Sequence, residues 1–267
     1  MVGHSMPTRY GMEIQLKSGH LMPLLGLGTW DLHGDACISA VTAALKIGYR
    51  HIDTAYYYRN HKAIAQGISN SPIRREELFI TTKIWRDSLR YEEVHRQFSQ
   101  CLFELRLDYV DLLLIHHPNP QVPLSETCRA FDEIVSSGKT RSIGVSNFSN
   151  ELLRDAQKHM QAPISNNQVQ LHAGQQNPLH SYSNNNVTLT AYRPLARGQL
   201  SSDLKLLTIG EKYQKTASQV ALRWLTQQNI AAIPKAQSTD HLIENSNIFS
   251  WILSDRDFDA ISHGQPQ

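Results

Sequence analysis

Residues 77–118 read ELFITTKIWRDSLRYEEVHRQFSQCLFELRLDYVDLLLIHHP. The run 77–85 is buried in character at its middle and polar at its end, which reads as a strand. YEEVHRQFSQCLFELRL then sets Val94, Phe98, Cys101, Leu102 and Leu105 on one helical face. YVDLLLIHHP is a second, stronger strand, ended by Pro118. A strand, an amphipathic helix and another strand make the unit from which parallel sheets are built.

The same alternation extends in both directions. Toward the N-terminus, 14–28 reads as a hairpin turning at Ser18 and Gly19 and running into a first buried strand. ACISAVTAALKIG (36–48) has helical spacing and a Gly48 stop, and HIDTA (51–55) is a short strand. Toward the C-terminus come the helix 124–139 closed by Gly138, the strand 140–148 and the helix 150–160. Strands at 164–171 and 187–192 follow, joined by the polar, weakly helical QQNPLHSYSNNN. Thr216 and Gln219 form a capping box at the start of TASQVALRWLTQQ, IAAIPK is the last core strand, and TDHLIENSNIF is the helix after it. About eight strands alternating with helices predict one α/β domain over 13–267, a (β/α)8 TIM barrel with an N-terminal β-hairpin. Residues 1–12 stand outside that expectation as a flexible tail. An open doubly wound sheet would bring GxGxxG after its first strand, and GLGTW fails that pattern.

Composition narrows the function. The 267 residues are 40% apolar with a formal charge of +2, so the balance implies no nucleic-acid partner. Cys37, Cys101 and Cys128 stand far apart without a CxxC, which points to a reduced, cytoplasmic setting. No apolar run approaches the roughly 20 residues that span a bilayer, and MVGHSMPTRYGM lacks the apolar core of a secretory signal.

Barrel active sites are built at the C-terminal ends of strands. Those ends carry Asp53, Lys83, His116 with His117, Ser146 with Asn147, Asn167 to Gln170, Tyr192 and Lys235. Asp53 and Lys83 by themselves read as a rim ion pair. With Tyr58 nearby they make a general acid: a phenol near pKa ~10 is a poor donor until an ammonium stabilises its anion. A lone histidine at a strand end is ordinarily a hydrogen-bonded rim residue. Two adjacent ones suggest a metal, but adjacent strand residues face opposite ways and no HExxH accompanies them, so no metal is expected.

The motifs together resemble the aldo-keto reductases. GLGTW, GYRHIDTAYYYRN, LFITTKIW, LDYVDLLLIHHP, GKTRSIGVSNF, NNQVQ, LTAYRPLARG, TASQVALRW and IPKAQSTDHLIEN fall in that family's order from Ile14 onward. In length the chain is similar to the small bacterial members, the 2,5-diketo-gluconate reductases among them. The resemblance implies a monomeric enzyme reducing a small aldehyde or ketone, including sugar-derived carbonyls and dicarbonyls, with NADPH. Tyr58 would protonate the carbonyl, Lys83 and Asp53 would lower its pKa, and His116 would orient the substrate. Ser146, Asn147 and Gln168 match the residues holding the nicotinamide amide, and Tyr192 the ring stacked on it. Arg193, Pro194, Leu195, Ala196 and Gly198 match the pyrophosphate loop. Ile233, Pro234, Lys235, Ser238, His241, Glu244 and Asn245 match the adenosine 2′-phosphate end. By the same resemblance Gly28, Thr29, Trp30 and Asp53 would line the cofactor from the first strands, and Trp30, Tyr57, Trp85 and His117 would wall the substrate pocket. The chain departs from the family at His117 (usually Trp), His61 (usually Glu), Ala236 (usually Ser) and His241 (usually Arg). The first makes the pocket wider and more polar, and the last two weaken the preference for the 2′-phosphate. A nicotinamide-binding regulatory module on the same fold is the alternative of another class. A barrel enzyme using His116 and Asp53 as a simple acid/base pair leaves Lys235, Tyr192 and the Ser146–Asn147 pair without a role.

Overall fold

The computed structural model describes residues 12–175 and 187–262. Of the tail expected over 1–12 only Met12 falls within them, and almost all of the weakly helical 175–186 segment lies outside. The chain enters through the antiparallel hairpin β1 (Glu13–Gln15) and β2 (Leu21–Pro23). Its turn lies where the sequence sets it, with Gly19 at φ 89°, a conformation that glycine adopts without steric cost.

Eight parallel strands follow: β3 (Gly26–Gly28), β4 (His51–Asp53), β5 (Phe79–Ile84), β6 (Val110–Ile115), β7 (Thr140–Ser146), β8 (Ile164–Gln170), β9 (Thr188–Tyr192) and β10 (Ala231–Ile233). Each pairs with the next in sequence. The Ala232 N–H donates to the Leu24 carbonyl at 2.8 Å and the Gly28 N–H to the Pro234 carbonyl at 3.1 Å, which brings β10 back against β3. A Cβ on Gly28 would sit 2.5 Å from the Ile233 carbonyl oxygen, so only glycine permits that approach. The result is the TIM barrel with an N-terminal hairpin that the alternation predicts.

The outer layer holds α1 (Gly34–Ile47), α2 (His61–Ser69), α3 (Tyr91–Leu105), α4 (Leu124–Ser136), α5 (Asn150–His159), α6 (Leu204–Tyr213), α7 (Ala217–Thr226), α8 (Thr239–Ser246) and α9 (Asp255–Ser262). Helix α3 buries the five residues assigned to its apolar face. The capping box of α7 is formed reciprocally, Gln219 N–H to Thr216 Oγ1 at 3.2 Å and Thr216 N–H to Gln219 Oε1 at 3.1 Å. Three helices, α2, α6 and α9, have no counterpart in the periodicity reading. They run eight to ten residues, the same lengths as α5, α7 and α8, which the sequence does show. None of the described helices is long and apolar enough to cross a membrane.

Residues alternate between the two faces of each strand. Ile52, Ile80, Leu113 and Ile115 point outward into the large core shared with the helices. Phe79, Leu112, Leu114 and Ala231 point inward, where they join Met22, Leu24 and Leu16 from the hairpin and fill the lower barrel. Above them lies a polar layer in which His51 Nε2 lies 3.1 Å from Thr81 Oγ1 and Asn166 donates to Thr190 Oγ1 at 2.9 Å. By the same parity Asp53, Lys83, Ser146 and Gln168 are the next inward residues upward.

At the opposite end Asp111 ties three strands together. It accepts from Arg75 at 2.7 Å, from the Ile80 N–H at 2.8 Å and from Arg141 at 3.1 Å. Both guanidinium groups also lie over the Tyr109 ring, at 3.9 and 4.4 Å. Asp111→Ala should cost about 3 kcal/mol, the low end for removing one partner of a buried pair, because the arginines keep 19% and 35% of their exposure and can rehydrate. Urea unfolding at unchanged slope is the readout; a loss below about 1 kcal/mol would reduce the cluster to ordinary surface ion pairing.

Candidate active site

The site is the top of the inward-facing ladder. Lys83 is wholly buried, and its Nζ donates to Asp53 Oδ1 at 2.5 Å, to the Thr54 carbonyl at 2.9 Å and to Tyr58 Oη at 3.3 Å. Gln168 Nε2 donates to the other Asp53 oxygen at 2.7 Å. Tyr58 ends a short 3-10 turn, Tyr56–Tyr58, which Arg59 closes at φ 53°. Of the three consecutive tyrosines, it is Tyr58 whose hydroxyl meets Lys83.

Burial and charge set the protonation states. Burial acts to strip the Lys83 ammonium of its proton, but Asp53 and Tyr58 together outweigh it and hold the pKa above the usual lysine value. Burial also dominates at Tyr58 and raises its pKa, while Lys83 pulls it down. This corrects the expectation of a net lowering: removing water destabilises the phenolate more than the lysine restores it. Tyr58 is therefore a neutral phenol that carries its proton, with a cation in contact to stabilise the anion it leaves. Burial, then Lys83 and His117, press the His116 pKa down to about 2. The ring is a neutral imidazole, and its buried Nδ1 has no hydrogen-bond partner among the described residues. Burial likewise takes His51 and His61 down to about 4.

Beside this group, Asn147 adopts φ 63°. Its Nδ2 donates to the His116 carbonyl at 3.1 Å and to Ser146 Oγ at 3.0 Å, and its Oδ1 accepts from Tyr192 Oη at 2.8 Å. Ser146 Oγ donates in turn to the Gln168 carbonyl at 2.8 Å. His117 departs from the strand alternation expected of it. β6 ends at Ile115, so the two imidazoles are free to stack, with centroids 5.1 Å apart and 16° between planes. His117 Nε2 comes 3.4 Å from Asn147 Nδ2, and its ring stands edge-on to Trp85. Tyr57 is sandwiched between Trp85 at 3.9 Å and Trp30 at 5.8 Å, and Trp30 meets the edge of Tyr58 at 4.9 Å. The four residues assigned to a pocket wall thus form one aromatic surface over Tyr58 and His116.

The remaining assigned residues form a second group along the rim. Arg193 reaches Gln170 Oε1 at 3.3 Å, and its guanidinium lies 5.9 Å from the Tyr192 ring centre. The segment from Arg193 through Pro194 and Leu195 to Gly198 turns sharply, with positive φ at Arg193, Ala196, Arg197 and Gly198. Ser238 caps α8 by accepting the His241 N–H at 3.2 Å. Glu244 is engaged by Thr216 Oγ1 at 2.5 Å, and Asn245 is buried. Ile233 and Pro234 lie inside the barrel closure, and Thr29 is buried with its hydroxyl on the Asp53 carbonyl at 2.9 Å. Lys235 pairs with Asp31 at 3.1 Å. Two participants escape sequence reading. Asn60 donates to the Thr29 and Leu32 carbonyls at 2.8 and 3.1 Å and accepts from Thr54 Oγ1 at 2.7 Å. Asp31 is the other. Asn60 falls inside a quoted motif, but nothing local says that it ties the loop after β4 to the loop after β3.

Comparison with known proteins now adds to the geometry. Residues 24–263 match the aldo/keto reductase family. The chain is 39% identical to glyoxal reductase of Bacillus subtilis (strain 168) over 96% of its own length and 94% of the relative's. It is 35% identical to a methylglyoxal reductase of Escherichia coli (strain K12), covering 90% and 88%. A crystal structure of an aldo-keto reductase complexed with NADPH superposes with a TM-score of 0.87 at 33% identity, over 94% of this chain and 86% of that one.

The three buried histidines make folding sensitive to acid. Their folded pKa values of about 4, 4 and 2 lie below the ordinary histidine value near ~6.5. Above that value both states are neutral and the groups contribute no pH dependence. Below it the unfolded chain binds protons that the folded chain refuses, so stability rises with pH and is lost on acidification from about 6.5 toward 4. The melting temperature should fall between about pH 6.5 and 5, and His61→Gln should remove part of that fall, since His51, His116 and His117 are lowered as well. A melting temperature flat across that window in the unsubstituted chain would overturn the assignment of neutral buried rings.

Proposed function

Because the chain belongs to the aldo/keto reductase family and is an oxidoreductase, we propose that it reduces small aldehydes and dicarbonyls to alcohols with NADPH, using Tyr58 as general acid. The observation that carries this reading is the contact of Tyr58 Oη with Lys83 Nζ at 3.3 Å, with Lys83 itself clamped by Asp53. A phenol that holds its proton until a carbonyl oxygen gains charge, and a cation that then stabilises the phenolate, are the two parts of general acid catalysis. His116, neutral and adjacent, orients the carbonyl by a hydrogen bond. Its neutrality keeps a second positive charge away from Lys83.

The donor set fits a nicotinamide dinucleotide. Asn147, Ser146 and Gln168 offer amide and hydroxyl groups beside the catalytic four, and Tyr192 offers a ring anchored through its hydroxyl. The left-handed turns at Arg193, Ala196, Arg197 and Gly198 bend the backbone as concave anion sites do, next to two guanidinium groups. Lys235 and the N-terminus of α8 supply positive charge for a phosphate farther along. When bound, the reduced nicotinamide would supply the hydride. The residues of this chain supply the proton, its path and the alignment of the carbonyl.

The aromatic wall and the imidazole of His117 favour short, polar carbonyls. Two relatives are named for glyoxal and methylglyoxal, and the side chains here suit such substrates. Trp30 and Trp85 give flat contact, while His117 adds a hydrogen-bonding edge beside Asn147.

Tyr58→Phe should lower kcat by about 10²–10⁴-fold and keep NADPH affinity, read by quenching of protein fluorescence. Near-normal turnover would sink the assignment. Lys83→Met removes the charge that pulls the Tyr58 pKa down, so its residual rate profile should move to higher pH; a rim ion pair predicts only a lower melting temperature with turnover per folded molecule retained. His117→Trp should raise kcat/KM for aromatic aldehydes and lower it for methylglyoxal, because a buried aromatic adds roughly 150–250 Å² of contact and removes a polar edge. Equal change for both substrates would remove His117 from the pocket wall.

A further inference from the structure

Lys235 follows the last barrel strand, and its ammonium is engaged twice by one residue: Asp31 Oδ2 at 3.1 Å and the Asp31 carbonyl at 3.4 Å. The two partners are far apart in sequence and come from the loops after β10 and β3. The loop carrying Asp31 is held firmly. Asn60 Nδ2 bonds the carbonyls on both sides of it, Thr29 at 2.8 Å and Leu32 at 3.1 Å. Thr29 is tied to the Asp53 carbonyl by its N–H at 3.1 Å and its hydroxyl at 2.9 Å. The Trp30 ring lies parallel to Tyr57 within 3°. Asp31 itself sits at φ 61°, a conformation that Asp and Asn tolerate better than other side chains. The backbone that presents its carboxylate therefore has a set position; the side chain itself is exposed, with Oδ2 on Lys235 and Oδ1 3.9 Å from His33 Nε2.

An exposed ion pair is weak, but it biases whatever competes for the same ammonium. A phosphate dianion drawn to Lys235 meets a carboxylate already 3.1 Å from the nitrogen, and the like charges repel. A ribose hydroxyl meets no such repulsion, since it can donate a hydrogen bond to that carboxylate. We propose that Asp31 sets the discrimination between NADPH and NADH: it holds Lys235 back from the 2′-phosphate while tolerating the 2′-hydroxyl. The inference rests on the nicotinamide-cofactor reading above and goes beyond it by naming a residue that opposes the phosphorylated form.

Asp31→Asn keeps the left-handed turn and removes the charge. Dissociation constants for NADPH, NADH, 2′,5′-ADP and 5′-AMP, by fluorescence titration and calorimetry without carbonyl substrate, give the test. Asp31→Asn should tighten NADPH and 2′,5′-ADP by about two- to fivefold, the range open to an exposed ion pair, and leave NADH and 5′-AMP within about twofold. In a Lys235→Met background the same substitution should lose most of that selective gain. An unchanged ratio of NADPH to NADH affinity, an equal gain for both, or a weaker grip on NADPH overturns the role of Asp31 while leaving cofactor binding intact. Failure of the unsubstituted chain to bind either dinucleotide overturns the cofactor reading, and the inference with it.

Discussion

A charged lysine sealed inside a barrel is the constraint on which this molecule turns. Taking an ammonium and a carboxylate out of water costs several kcal/mol per ion unless both are fully engaged. Lys83 meets that demand with Asp53, the Thr54 carbonyl and Tyr58, and Asp53 with Lys83 and Gln168. These groups come from four segments: the end of β4, the turn after it (Thr54 and Tyr58), β5 and β8. The strands must all end at the same height for the pair to be tolerated. The geometry that makes the ions bearable is also the geometry that sets a phenol against a cation.

The rest of the architecture supports that layer from below and from the side. The hairpin fills the floor of the barrel with Met22, Leu24 and Leu16, packed on Phe79, Leu112, Leu114 and Ala231. Asp111 ties β5, β6 and β7 there. Gly28 lets β3 close on β10, and Asn60 fastens the turn that carries Tyr58 to the loop that carries Trp30. Tyr58 is raised by burial and drawn down by Lys83. That opposition keeps the proton on the phenol in the resting molecule and makes the anion supportable once a charge develops nearby. His116 completes the arrangement as a ring that burial keeps neutral.

Much of this was legible before any coordinates. The inward parity of β5 follows from Phe79, Thr81 and Lys83 at every second position, and that of β6 from Leu112, Leu114 and His116. A period of two carries the apolar floor and the polar layer above it, up to Lys83 and His116, in one count. The helices with long apolar stripes, such as α3, were equally clear, whereas α2, α6 and α9 were not read, although α5, α7 and α8 of the same lengths were. The parity argument failed at His117, two residues past the end of β6 at Ile115: His116 still donates its N–H to the Ile84 carbonyl at 3.0 Å, but His117 does not continue the alternation and stacks on His116.

The sequence by itself determined the fold class and the polar strand ends, because these rest on local periodicity, while the grouping of Tyr58 and His116 with Asp53 and Lys83 was an expectation that leaned on the family resemblance. Only the tertiary structure decided their charge states and alliances. Whether Tyr58 is raised or lowered depends on how much water is excluded and how far Lys83 stands from it. That Lys235 is held by Asp31, and that one Asn60 ties two loops together, depends on distances across the barrel rim. Desolvation and Coulomb interaction are sums over neighbours in space, and a chain read one residue at a time does not contain those neighbours until it closes on itself.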